Sequence, residues 1–562
     1  MTSTHLHTFS VLSIILLGIV IYGNTLPNGF TYDDHFQIEQ NEALRTWSQF
    51  VHRTSLYRPL TKLTWFADYH LWGLNPLGYH LTNLILHILA SIALYSFVWR
   101  LLRRHWSAWA ASIIFLAHPV HTESVASVAN RGDVLAAVLV FSAWALMTTE
   151  RPARWTTAGA CGLFLLALLS KETTAVFPVL LLAQRRLLPA GQGRERTPLS
   201  TDLKLVSPLL VLSAIALGYA GCKLFITWGT FGQTWGSMGH SLSGGRSYGE
   251  ILITELGAVP VYLRLLVAPS GLRADYYFPS DAPLHGMDAW LGLVFVAGLI
   301  TIACLMLRRA ATVSIGLLWF ILFMLPVSNI VPGAFFVAER YLYIPSGGFC
   351  LIGAVALDRL RRAGAPSAMR FQWGATALLA VVTLSFSWLT ISRNREWRDD
   401  LVLWRATLRE NPLSAPARTN LGLAEMARKN YHEAIYHLEQ AVALRPDLAE
   451  PHNNLGAAYG EAGRSLDAVA QFSVAAAIAP QVPKFRYNLA LAHKEAGQID
   501  SAIRELVRVV ELWPEFAGAH YELGLLYLEA GDLEDARRHF ALSGRNARDE
   551  PDENGSGRTN TR

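Results

Sequence analysis

Two adjacent carboxylates, Asp33 and Asp34 in "NGFTYDDHFQI" (residues 28–38), follow closely on an apolar run that ends near residue 23. Alone they would fit a solvated turn, because Asp favours loops and Asn-Gly supplies turn chemistry. Similar groups recur beside other apolar runs. "SLYRPLTKLTWF" brings Arg58 and Lys62, "NPLGYHLTNLILH" brings Tyr79, His80, Asn83 and His87, and "HPVHTESVASVANRGD" brings His118, His121, Glu123, Arg131 and Asp133. "SKE" adds Lys171 and Glu172, and "AERYLYIPS" adds Glu339, Arg340, Tyr341 and Tyr343. Ionisable groups within or beside membrane spans are costly, so this many at one face reads as a functional cavity.

The chemistry that fits is glycosyl transfer from a lipid-linked sugar phosphate. A carboxylate takes the proton of an acceptor hydroxyl as it attacks the sugar carbon, while Arg and Lys stabilise the departing phosphate. If the backbone is extended at residues 33 and 34, the two side chains point to opposite sides. One is then the base, and the other holds acceptor, metal or backbone. His118, His121 and Glu123 could also reach one ion, which makes a divalent metal a candidate cofactor. Their spacing matches no zinc signature, and the plainer reading has His118 capping a helix end and His121 hydrogen-bonding.

These groups need elements to hold them, and the composition says which. The chain has 562 residues, is 52% hydrophobic and 16% charged, and contains 17 Trp, too apolar for a soluble protein of this length. Its net charge of +5 sits in short loops between apolar runs, which is membrane topology and not nucleic-acid binding. Cys161, Cys222, Cys304 and Cys350 lie singly in those runs, as small packed side chains. "VLSIILLGIVIYG" lacks a following cleavage site and reads as a retained helix.

Apolar runs fall near residues 9–23, 81–99, 106–118, 132–148, 156–170, 172–184, 205–226, 251–268, 288–307, 312–330, 346–358 and 373–392. The basic loops at 100–105, 150–155, 184–204, 308–310 and 358–370 should share the cytoplasmic side. That sharing requires the run at 251–268, with Glu255 and Arg264, to lie along the interface or re-enter, leaving eleven crossings. The acidic loop and everything after residue 392 are then extracytoplasmic. "SRNREWR" (392–398) runs against this, placing three arginines where the rule prefers few.

Past residue 399 a repeat takes over. Pro412, Pro446, Pro480 and Pro514 are 34 apart, and so are Ala434, Ala468, Ala502 and Ala536. Leu421-Gly422, Leu455-Gly456, Leu489-Ala490 and Leu523-Gly524 keep the same step. This is the period of tetratricopeptide helix pairs, in which small residues let helices approach and proline ends the second one. Residues 1–392 are thus read as a polytopic membrane domain, 393–412 as a connecting half-repeat helix, 413–548 as four repeats, and 549–562 as a disordered tail. Asn420, Asn453, Asn454 and Asn488 could bond a bound peptide backbone or cap the array itself.

"YDD" after the first membrane helix, "RPLT", "GYHLTNLILH", "HPVHTESV" with "RGD", "SKE", "ERYLYIPS" and the repeat array together resemble the transmembrane and tetratricopeptide repeat-containing proteins, along essentially the whole chain. The resemblance implies an all-α, GT-C-type membrane glycosyltransferase similar to protein O-mannosyltransferases that use dolichyl phosphate mannose. It implies Asp33 or Asp34 as catalytic acid/base, Glu123 as a second acidic candidate, and Arg58, Lys171 and Arg340 as ligands of the donor phosphate. His80, His118, His121, Arg131, Asp133, Glu339 and Tyr341 complete the candidate substrate-binding set.

The expectation is an inverting enzyme that moves a sugar, mannose among the candidates, from a polyprenyl phosphate to Ser or Thr of proteins. It would work in a bacterial inner membrane, or in the endoplasmic reticulum if the source is eukaryotic, with acceptors gripped by the repeats. The alternatives are an inert membrane-anchored tetratricopeptide scaffold and a lipid-sugar flippase.

Overall fold

The computed structural model describes residues 3–53, 57–149, 152–188, 199–231, 248–276, 287–330, 336–363 and 369–544. The expected disordered tail at 549–562 and parts of the chain between the apolar runs ending at 226 and starting at 288 lie outside them. Among the described residues every regular element is helical. By their contacts they form two units, the described residues up to 227 with those from 248 to 406, and residues 228–231 with 407–544.

The first unit opens with α1 (Ser3–Tyr22). The short helices α2 (Trp47–Arg53) and α3 (Pro59–Trp72) follow, then α4 (Pro76–Leu102), α5 (His105–Ala117), α6 (Thr122–Ala126), α7 (Arg131–Met147), α8 (Arg154–Ser170), α9 (Phe177–Leu187) and α10 (Leu199–Phe231). After them come α11 (Tyr248–Val267), α12 (Met287–Arg309), α13 (Ala311–Met324), α14 (Ser346–Arg362), α15 (Met369–Glu396) and α16 (Asp400–Glu410). Every apolar run of the sequence is a helix. The run at 251–268 is one unbroken helix, α11, with Pro260 inside it. The stretch 24–80, which reads as a loop, contains α2 and α3.

Residues 4–25, 76–102, 287–309 and 371–396 are long and apolar enough to cross a membrane, and α6 with α7, bent by 111°, would make a fifth span. The rest of the eleven expected crossings would fall to shorter or more polar helices, such as α5, α8 and α13.

Helix starts are set locally. Asn75 caps α4 by accepting from the Leu77 N–H at 3.2 Å, and Pro76 supplies a first residue that needs no partner for its nitrogen. The helices carry apolar side chains on most faces, as helices do when no face meets water. Phe97 stacks on Trp144 with ring centroids 4.0 Å apart, and Trp144 meets Trp319 edge-on at 4.6 Å. The Trp144 indole donates to Gln184 Oε1 at 2.6 Å, whereas the buried Trp319 indole nitrogen has no hydrogen-bond partner among the described residues. Cys350 is buried and Cys161 half-buried, but Cys304 is exposed on α12, so it is not the packed side chain expected. The side chain of Cys222 is outside the described residues.

The second unit is four helix pairs: α17 and α18 (Ala415–Ala427, Tyr431–Leu444), α19 and α20 (Ala449–Glu461, Ser465–Ile478), α21 and α22 (Pro483–Glu495, Ile499–Leu512), α23 and α24 (Ala517–Glu529, Leu533–Ser543). A small residue of each first helix faces a large one of the second. A Cβ on Gly456 would press on Phe472 at 2.9 Å, and one on Gly524 on Phe540 at 2.8 Å.

Candidate active site

The site begins with a backbone that is held in place from several directions. Gly29 N–H donates to Arg398 O at 3.0 Å, and the Asn28 amide donates to Asn394 O at 3.1 Å, tying the loop after α1 to the end of α15. Tyr32 then takes a left-handed conformation (φ 53°), which costs a side-chain-bearing residue free energy unless its surroundings impose it. They do: its N–H donates to Asp400 Oδ1 at 2.8 Å, and its ring meets Trp404 edge-on at 5.0 Å.

Asp33 and Asp34 are therefore not extended. They open a helical turn that widens into a π-helical turn over His35–Glu39, a geometry frequent at functional sites. Successive side chains in such a turn still diverge, so the two carboxylates part company for a different reason from the one expected.

Asp34 turns inward and is fully buried. One oxygen accepts from the Ala129 N–H at 2.7 Å and the Ser127 hydroxyl at 3.2 Å, and the other from the Thr31 N–H at 3.2 Å. Burial pushes its carboxyl up to about 7, against the pull of those backbone donors. Asp34 thus clamps the acidic loop onto the segment before α7.

Asp33 turns outward, into a cavity of about 670 Å³. Arg58, Lys62, Asp133 and Arg340 line the same cavity, with Tyr57, Trp65 and the amides Gln37, Gln40, Asn41 and Asn130. Arg58 also has a left-handed backbone (φ 51°), so of the five such non-glycine residues among those described one lines this cavity and another, Tyr32, immediately precedes Asp33.

The three cations of the sequence prediction converge on one place. The charges of Lys171, Arg58 and Arg340 all act on Asp133, and Asp33 acts in turn on Arg340. Each cation is held by a carboxylate: Arg58 by Glu172 at 2.9 and 2.5 Å, Lys171 by Asp133, and Arg340 by Glu123. Tyr341 shares a smaller recess with Asp133 and Lys171, and its ring lies 5.3 Å from the Arg340 guanidinium carbon.

The remaining predicted residues stand elsewhere. Glu123 is buried and accepts from both the Arg340 side chain and the Arg340 N–H (2.8 Å), so it positions that arginine and is not placed as a second acid. Arg131 is wholly buried between Asp68 (2.6 Å), Asn83 (2.6 Å) and Tyr79 O (3.0 Å), joining α3, α4 and α7. His80 bonds Gly29 O at 3.3 Å.

Glu339 is buried among Tyr276, the Arg273 N–H and Arg393. His118 bonds Leu266 O at 3.0 Å and His121 the Ser346 hydroxyl at 2.8 Å. His118, His121 and Glu123 thus take three separate partners and do not fit a shared ion, and no His/Cys/Asp/Glu group among the described residues is arranged to hold one.

Sequence reasoning missed the amides, Tyr57 and Trp65. "FQIEQN" was visible as a polar stretch after the acidic pair, but nothing in it marks which side chains turn inward. It also left "SRNREWR" as an exception. The structure accounts for one of the three arginines: α15 runs on to Glu396, and Arg393 is buried between Glu339 and Glu396 as an internal partner.

The first unit is a helical membrane protein with its polar loops gathered around one ionised cavity, followed in the chain by tetratricopeptide repeats. Two family models for that repeat match, described as "TPR repeat" over residues 422–463 and "Tetratricopeptide repeat" over residues 487–551. The chain as a whole is similar to the protein O-mannosyl-transferase Tmtc3 of Drosophila melanogaster, 28% identical over 78% of this chain and 55% of that protein. It is as similar to the human protein O-mannosyl-transferase TMTC3, 28% identical over 77% of this chain and 51% of that one. It thus spans about half the length of these curated relatives. A crystal structure of MamA matches 25% of this chain and 84% of its own at 24% identity and a TM-score of 0.25, too slight a likeness to bear on fold or function.

Proposed function

We propose that the chain is a glycosyltransferase of the membrane, moving a sugar, mannose on the strength of its relatives' names, from a polyprenyl phosphate to Ser or Thr hydroxyls of proteins on the extracytoplasmic face. One observation carries the reading: a single cavity holds the Asp33 carboxylate together with Arg58 and Arg340.

Asp33 accepts the proton of the acceptor hydroxyl, and the freed oxygen attacks the anomeric carbon from the side opposite the phosphate. The carbon–oxygen bond to the phosphate breaks, the configuration inverts, and the electron pair leaves with the polyprenyl phosphate. Arg58, Lys171 and Arg340, already oriented by their carboxylate partners, stabilise that leaving anion. Gln37, Gln40, Asn41 and Asn130 suit a sugar, because amides both donate to and accept from hydroxyls.

The test is transfer from a polyprenyl-phosphate sugar to an acceptor by the purified chain, read by mass spectrometry. Discrete O-linked hexoses made by the wild type and absent with Asp33→Asn support the reading. No transfer from any such donor, with partner proteins still captured through residues 413–548, would replace it with a scaffold.

A further inference from the structure

A second polar cavity lies at the other end of the bundle. It meets the last residues of α4, Leu101 and Leu102, about 40 Å along that 27-residue helix from its start, near which Asn83 bonds Arg131 beside the acidic cavity. Its volume is about 490 Å³, and its polar wall is Arg104, Ser107, Thr312, Arg359 and Arg362. These side chains come from the start of α5, the start of α13 and the end of α14, so three of the basic loops of the sequence meet here.

The charge is not balanced from within. Arg104, Arg361 and Arg362 all turn to one buried carboxylate, Asp358, at 3.0, 3.0 and 3.1 Å. Arg359 has no ion-pair partner among the described residues. Four guanidiniums thus stand to one carboxylate. A second observation is independent of charge: the Ser107 hydroxyl is 1% exposed, lines the cavity, and has no hydrogen-bond partner among the described residues. A buried hydroxyl without an internal partner, beside surplus guanidinium donors, suits an acceptor-rich anion. Leu101, Leu102 and Val355 form an apolar wall beside it, suited to the first carbons behind a headgroup.

We propose that this cavity is a phosphate-binding site distinct from the acidic cavity, filled by the phosphate of an anionic phospholipid or by a soluble phosphate. It does not depend on the transferase reading. Guanidinium forks match phosphate oxygens two at a time, the Ser107 hydroxyl donates to a further oxygen, and Asp358 holds the forks of Arg104 and Arg362 in place.

The experiment uses the purified full chain in nonionic detergent, titrated with dioleoylphosphatidylglycerol or dioleoylphosphatidylcholine and read by native mass spectrometry. Inorganic phosphate is tested in parallel by thermal shift. Arg359→Gln removes a guanidinium that holds no ion pair, and Ser107→Ala removes an unpaired hydroxyl, so neither breaks an internal bond. Tight binding of the glycerol lipid over the choline lipid, weakened about tenfold by Arg359→Gln and less by Ser107→Ala, establishes the site and its lipid source. Phosphate stabilising the wild type but neither variant, without lipid preference, establishes the site with a soluble source. Binding equal in wild type and variants, or absent for both probes, overturns the proposal.

Discussion

At the scale of the residue, the acidic pair divides its labour. Asp33→Asn should abolish transfer and leave the thermal midpoint within a degree or two, because the side chain faces a cavity. Asp34→Asn puts an amide nitrogen where one oxygen accepts a backbone N–H. It should cost about 1–3 kcal/mol in stability as well as activity, since a buried donor is left facing a donor. Thermal unfolding beside a transfer assay separates them; equal midpoints for both variants would remove the clamp assigned to Asp34.

Glu123 is tested in the same way. Glu123→Gln leaves Arg340 buried without its counter-charge and should cost about 3 kcal/mol or more, and the double variant Glu123→Gln with Arg340→Gln should recover part of that. Both variants losing activity with unchanged midpoints would return Glu123 to the role of a second acid.

The identity of these residues was legible in the sequence, since two carboxylates beside an apolar run are conspicuous. Their division of labour was not. It depends on Tyr32 adopting a left-handed backbone, and that is imposed by Asp400 and Trp404, some 370 positions further on.

At the scale of the element, two features hold the site's walls. The first is the junction of the acidic loop with the start of α16. His35 bonds Asp400 at 2.7 Å and also pairs with Glu39, and the hydrogen bonds to Asp400 and then Glu39 raise its imidazole to about 10 from 6.5, against a smaller opposing effect of burial. A raised histidine stabilises the fold while it is charged in the native state. The contribution is therefore full below pH 6.5 and is lost as pH climbs through 10. The difference in thermal midpoint between wild type and His35→Gln should shrink steadily over that window. A difference independent of pH would mean that the ring only packs.

The second feature is the crossing of α13 and α14. A Cβ on Gly316 would come within 2.8 Å of Gly348 O, and one on Gly348 would strike Gly316 O, so both helices need glycine where they touch. Gly348→Ala should separate them at a cost of about 1–3 kcal/mol, measured by thermal unfolding in detergent. Nearly every helix was legible, because an apolar run long enough to be buried all round has few other ways to satisfy its backbone. What escaped were α2, α3 and α6: α2 and α6 are too short to show a period, and in α3 the apolar residues are interrupted by Thr61, Lys62, Thr64, Asp68 and His70, so no run long enough to cross a membrane marks it.

At the scale of the whole molecule, the repeats raise the question of what selects the acceptor. The 34-residue period was the plainest signal in the chain, because each pair needs a small residue at the same step, as Gly422 faces Leu438, Gly456 faces Phe472 and Gly524 faces Phe540. The use of such an array is less legible. Asn488 donates to Asn453 Oδ1 at 2.8 Å, and Asn453 to Asn454 at 3.3 Å, so these three amides already bond each other between and within repeats. They are structural first, and a bound peptide would have to compete for them.

If the array nevertheless recruits acceptors, it acts by raising the local concentration of a hydroxyl near Asp33 and not by touching the reacting atoms. A short free peptide, which cannot reach both, should lose little when residues 413–548 are removed, whereas a folded protein acceptor should lose about tenfold or more in kcat/KM, mostly through KM. Transfer rates for both acceptors, measured on the full chain and on the shortened one, decide it. Equal losses would mean that the repeats support folding of the membrane unit, and the recruitment role would be withdrawn.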